Sequence, residues 1–169
     1  ENAILAAAAC KGRTVLKNCA GEPEVKNLCL FLKKMGVKIQ GTGTDCLVIE
    51  GGSQLKDTEF TIPSDRIAAG TYLFAGAITR GRVTLHRAPV EELTSILQVY
   101  EKMGGQYYRN SGKLVTDSRR IRYPVPYLET EAYPGFPTDM QSVLMSVLAT
   151  VKGAVSYTHL RAHETGAYL

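Results

Sequence analysis

Two stretches of this chain share one frame, and that repetition limits the folds open to it. "AAAACKGRTVLKN" followed by "EPEVKNLCLFLKKMGVKI" is answered by "FAGAITRGRVTLHR" followed by "PVEELTSILQVYEKMGGQY". Gly12 matches Gly81, and Met35-Gly36 matches Met103-Gly104. A third copy begins in "SVLMSVLATVKGAV", where Gly153 takes the part of Gly12 and Gly81. The period, roughly 70 residues, is too long for the common solenoids and points to a duplicated α/β unit.

Each copy reads α-β-α-β-β. An Ala- and Leu-rich helix ends at Lys11-Gly12 or Arg80-Gly81, where glycine is free to take the left-handed conformation that closes a helix. An alternating strand follows, "RTVLKN" or "RVTLHR". The next helix carries acids in its first turn and Lys in its last, which complements the helix dipole. Val25, Leu28, Cys29 and Leu32 fall on one of its faces. "VKIQGTGTDCLVIEG" closes the unit as a hairpin turning at Gly41-Thr42-Gly43. As a nucleotide loop "GTGTDC" lacks the third glycine, and a strand rather than a helix follows it.

The chain of 169 residues, 44% of them hydrophobic, can bury a core for one domain or for parts of two. Its net charge of +4 is scattered. The densest basic patch, Ser118-Arg119-Arg120-Ile121-Arg122, reads as a solvated strand end, so no nucleic-acid partner is implied. Cys10, Cys19, Cys29 and Cys46 form no CxxC pair and read as reduced core thiols of a cytoplasmic protein. The opening "AILAAAAC" is too short to span a bilayer and lacks the basic start of a signal peptide, so no membrane partner is implied either. The chain opens on Glu1 rather than Met, which fits a missing upstream portion.

The last residues need separate treatment. His159 and His163 stand four apart with Glu164 adjacent, a spacing that zinc sites use on helices. Val155 to Thr165, however, matches the translation of a sequencing-library transposon adapter. Residues 155–169 are therefore read as adapter rather than native protein, and no metal is expected. His86 is then the one histidine left, which argues against a His-based metal site or a His-dependent triad.

Pro63-Ser64-Asp65 and Pro137-Thr138-Asp139 recur at matching helix starts. Thr138 and Gln141 have the spacing of a capping box, the Thr hydroxyl accepting from the N–H at 141. That frame sets Asp139 at the first helical position. There backbone N–H groups hold a charged acceptor, able to orient a hydroxyl and take its proton as the oxygen becomes acidic. Aspartate in a first helical turn is also common with no function, and Asp65 could simply pair with Arg66. The residues alone leave both readings open.

"GEPEVKNLCLFLKKMGVKIQGTGTDCLVIEG", "IPSDRIAAGTYLFAGAITRG" and "YPGFPTDMQSVL" together resemble the UDP-N-acetylglucosamine 1-carboxyvinyltransferases, the enolpyruvyl transferases of the first committed step of peptidoglycan synthesis. The resemblance runs over residues 1–154. It implies an α+β fold, the inside-out α/β prism built from repeated βαβαββ units, with parts of two domains present. Residues 1–62 would finish the first prism, and residues 63–154 would begin the second. The implied reaction moves enolpyruvyl from phosphoenolpyruvate to the 3-hydroxyl of UDP-N-acetylglucosamine, with no metal or organic cofactor. In that family the aspartate of "PTDMQ" contacts this hydroxyl and serves as its base, which assigns Asp139 a catalytic role. Thr138 would be its positioning neighbour at the substrate, and Glu22, in "GEPE", a substrate-binding candidate near the domain interface. The family's reactive-cysteine loop, its phosphoenolpyruvate-gripping groups and its uridine-binding segment would all lie upstream of residue 1. The polypeptide alone is therefore expected to be inactive. The alternatives are a transferase like 5-enolpyruvylshikimate-3-phosphate synthase, which shares the repeat but not these strings, and a non-catalytic α/β repeat that binds a partner.

Overall fold

Strands β1 (Gly12–Lys17), β2 (Lys38–Gln40) and β3 (Cys46–Gly51) form an antiparallel sheet in the order β1-β3-β2. In the second copy β4 (Arg82–His86), β5 (Gln106–Asn110) and β6 (Lys113–Asp117) repeat the arrangement as β4-β6-β5. The structure, a computed structural model, describes residues 1–153 and the backbone of Ser156 and Tyr157. It divides into two compact units, Glu1–Pro63 and Ser64–Leu169. The segment read as adapter, with its two histidines, lies outside the described residues. The one exception is the backbone of Ser156–Tyr157, strand β8, which pairs in parallel with β7 (Tyr127–Leu128).

In each unit the two outer strands run antiparallel to the central one, hence parallel to each other. Parallel strands need a long crossover, and a helix supplies it. In the first unit this is α2 (Pro23–Lys34), which follows α1 (Asn2–Ala9) and β1. Cys29 and Leu32 of α2 are buried, with Val25 and Leu28 packed at the edge of the same core, the face that the helical spacing predicts. Ile39, Leu47 and Ile49 meet them from the sheet. Helix α1 lies so close to β3 that a β-carbon on Gly51 would sit 1.9 Å from the Ala7 carbonyl oxygen, so only glycine fits there.

The second unit is larger. Helix α3 (Arg66–Ile78) precedes β4. The crossover opens as a 3₁₀ turn, Val90–Leu93, before α4 (Thr94–Lys102), and α5 (Gln141–Leu148) closes the described part. Leu73, Phe74, Leu93, Ile96, Tyr100, Leu114, Met140 and Leu144 form its core.

Three local expectations need correction. At the end of α3 it is Arg80, not Gly81, that takes the left-handed conformation (φ 54°). The Gly81 N–H then reaches the Gly76 carbonyl at 2.9 Å, closing the helix. Helix α1 ends on an extended Cys10, because the chain there turns straight into β1. Among the cysteines only Cys29 is a core thiol, pushed up in pKa by burial, with Cys19 adding to the shift; Cys10 is exposed.

The basic patch is a strand end, as its setting implies. Asp117, closing β6, accepts from the Arg119 guanidinium at 2.7 Å and from Arg82 Nε at 2.9 Å. Arg119 above all holds this carboxyl well below the usual carboxylate range, with Arg82 helping.

Candidate active site around Asp139

The segment that carries Asp139 is a closed loop before it is a helix start. The Gly135 N–H donates to the Ala132 carbonyl at 2.8 Å, and the Glu131 N–H donates to the Phe136 carbonyl at 3.0 Å. A β-carbon on Gly135 would meet Glu131 Cβ at 2.4 Å, so the loop closes this tightly only with glycine there. Two helices fasten it. Ser95 of α4 donates its hydroxyl to the Gly135 carbonyl at 3.0 Å. Arg66, first residue of α3 and only 7% exposed, lays its guanidinium 5.4 Å from the Tyr133 ring centre.

Beyond the loop, Thr138–Met140 form a single 3₁₀ turn, with the Met140 N–H donating to the Pro137 carbonyl at 3.1 Å. Residues three apart eclipse in such a turn. Pro137 and Met140 therefore line up on the inner side, and both are buried. Thr138 and Asp139 are left exposed between them. Phe136 before the pair and Gln141 after it are buried too. The candidate carboxylate is thus a two-residue tip pinned by buried neighbours on each side.

Thr138 is not the cap residue that the pattern predicts. Pro137 occupies the cap position, and the Gln141 N–H donates to the Thr138 backbone carbonyl. Helix α5 begins two residues later than the pattern predicts, at Gln141, with Met140 before it. Burial of Met140 against α3 favours the tighter turn. A β-carbon on Gly70 would lie 3.0 Å from Met140 Cε and 3.1 Å from Ile96 Cδ1, so the methionine fills the space that glycine leaves.

The matching aspartate of the earlier repeat does something different. Asp65 caps α3, its carboxylate accepting from the Ile67 N–H at 2.7 Å and the Ala68 N–H at 3.1 Å. That explains Asp65 without any ligand. Glu22 belongs to the first unit, at the cap position of α2, and its side chain caps nothing. Its Oε2 is buried with no hydrogen-bond partner among the described residues.

Thr138 and Asp139 stand together, then, while Glu22 is placed by the other unit. Arg66, Ser95 and Gly70, which hold the Asp139 segment, were not singled out by motif or spacing. Arg66 enters the sequence reading only as a possible partner of Asp65, and the packed structure shows it buried. Among the described residues no group of three or more His, Cys, Asp or Glu side chains could hold a metal ion, and no helix is long and apolar enough to cross a membrane.

Comparison with known proteins places this geometry. A UDP-N-acetylglucosamine 1-carboxyvinyltransferase of Campylobacter hominis is 43% identical over 97% of the chain. One from Staphylococcus aureus is 42% identical over 90%. The chain spans 39% and 36% of these relatives' own lengths. Among solved structures, the enolpyruvyl transferase NikO from Streptomyces tendae superposes with a TM-score of 0.75 over 98% of this chain and 41% of that one, at 23% identity. EPSP synthase from Acinetobacter baumannii superposes at 0.52 over 90% of this chain and 36% of that one, at 17% identity. The shared fold is the α+β fold of the enolpyruvyl transferases. Residues 1–167 match EPSP synthase (3-phosphoshikimate 1-carboxyvinyltransferase), and to that family of carboxyvinyl transferases this chain belongs.

Proposed function

We propose that the whole protein transfers enolpyruvyl from phosphoenolpyruvate to the 3-hydroxyl of UDP-N-acetylglucosamine, the committing step of peptidoglycan synthesis, in the cytoplasm. One observation carries the reading. An exposed carboxylate, Asp139, is pinned between buried residues in a chain 43% identical to a UDP-N-acetylglucosamine 1-carboxyvinyltransferase. In the proposed reaction the acceptor oxygen bonds to the central carbon of the enolpyruvyl group, and the bond from that carbon to the phosphate oxygen breaks. The hydroxyl proton passes to Asp139 as the oxygen becomes acidic, so the carboxylate need not be a strong base in the resting enzyme. Thr138 lies beside it at the acceptor.

Glu22 is proposed as a second substrate contact. Its buried, unpartnered Oε2 is a site that a ligand hydroxyl or amide would satisfy, and such an oxygen is costly to leave bare. Residues 1–62 are proposed to complete one prism domain, and residues 63–154 to begin the next. Because positioning and charge stabilisation supply most of the rate in such chemistry, the 169-residue chain alone is proposed to be inactive.

The test is the choice of acceptor. The whole protein, given phosphoenolpyruvate with either UDP-N-acetylglucosamine or 3-phosphoshikimate, should release phosphate with the first. Turnover with 3-phosphoshikimate alone would assign it to the sister reaction, and turnover with neither would remove the transferase reading.

A further inference from the structure

Arg66 is out of place for an arginine. It is the first residue of α3, yet it is 7% exposed, and the other buried polar side chains among the described residues are the uncharged Thr116, Ser118 and Gln141. Burying a guanidinium is costly unless something holds it, so its partners matter. Its guanidinium carbon lies over the ring of Tyr133, 5.4 Å from the ring centre, a cation–π contact made by a head group whose planar shape lysine does not have. Tyr133 is half-buried and lies in the loop that leads, six residues on, to Asp139. That loop is closed on itself by the Glu131–Phe136 and Gly135–Ala132 hydrogen bonds, so a push on Tyr133 moves the loop as a body. The Arg66 backbone is itself set by Asp65, whose carboxylate caps the same helix turn.

We infer that Arg66 is a positioning residue for the candidate base. Its guanidinium, held over the Tyr133 ring, fixes the 131–137 loop against the first turn of α3 and so sets where the Asp139 carboxylate points. The inference rests on the reading of Asp139 as the acceptor's base. It gives the Pro-Ser-Asp-Arg element of the middle repeat a use in the third. Asp65 starts the helix, and the arginine after it reaches across to Tyr133, in the loop that leads into the equivalent element carrying Asp139.

The consequence is kinetic rather than thermodynamic. Misplacing a reacting group by about 1 Å costs on the order of 100-fold in rate. In the whole protein Tyr133→Leu removes the ring from a half-buried site, and Arg66→Lys keeps the charge but not the plane. Each should lower kcat roughly 10- to 100-fold with the KM for the acceptor little changed. Tyr133→Phe, which keeps the ring, should restore near-normal kcat. Placed on Asp139→Ala, Tyr133→Leu should cost no further rate, because nothing remains to be aimed. Unchanged kcat in Tyr133→Leu would overturn the inference, as would the same fold-loss on the Asp139→Ala background as on the parent. A failure of Arg66→Lys to fold would leave those Tyr133 results deciding the matter. If Asp139→Ala alone keeps its turnover, it is the assignment of the base that fails, a result distinct from either.

Discussion

The side chain of Met140 occupies the space that a β-carbon on Gly70 would need, its Cε 3.0 Å from that point. The residue after the candidate base is thus keyed into a notch on α3. Gly70→Ala should crowd the methionine by a few tenths of an ångström. The helix gains up to about 1 kcal/mol from the better helix former, which offsets the crowding. Thermal stability of the whole protein should therefore hardly move, while turnover falls roughly tenfold as the Thr138–Asp139 tip shifts. Melting and steady-state rates on the same preparation check this, and full turnover in Gly70→Ala would mean the notch does not aim the tip.

Tyr100 and Ser118 share a buried hydrogen bond of 2.8 Å between their hydroxyls, and both residues are fully buried. Burial, more than anything else, raises the Tyr100 pKa, with the Ser118 contact working against it. Tyr100→Phe leaves the Ser118 hydroxyl without that partner and should cost about 1–3 kcal/mol in chemical denaturation. Gly105→Ala should cost at least as much, because its β-carbon would fall 2.4 Å from the Tyr100 ring.

Asp117 gives the second unit an acid-sensitive clasp. Arg119 and Arg82 depress its pKa in the folded state. Its stabilising effect is therefore present above the unfolded value of about 3.9 and is lost as the pH falls from there toward the depressed folded value. Asp117→Asn should lower the melting temperature at pH 7 and flatten its decline below about pH 4. High salt should narrow the difference between the two proteins, since both arginines are largely exposed. An unchanged acid slope in Asp117→Asn would remove the clasp.

Much of this architecture is legible in the chain itself. The repeated Gly12 and Gly81 and the Met-Gly pairs lay out the same succession of helix and strand in both units, and Gly41–Gly43 marks the first unit's hairpin, because local turn chemistry and hydrophobic alternation decide them. Three features resist such reading, the first two because packing between segments far apart in sequence decides them. The Thr138–Gln141 pattern has the form of a capping box, but Met140 fills the notch at Gly70 and the turn there is 3₁₀. Arg80 rather than Gly81 bears the positive φ, held by bonds to the Ala77 and Thr150 carbonyls. Asp65 and Asp139 share a motif and part ways, the first consumed by backbone N–H groups, the second left exposed. The Asp139 assignment itself came from whole strings such as "PGFPTDMQ", since a first-turn aspartate is uninformative alone.

The most direct measurement is the turnover of the whole protein carrying Asp139→Ala, with phosphoenolpyruvate and UDP-N-acetylglucosamine as substrates and circular dichroism as the check on folding. The account predicts a native spectrum with kcat down by about 100-fold or more, the loss expected when a positioned base is removed. A folded Asp139→Ala protein turning over at near the parent rate would contradict it.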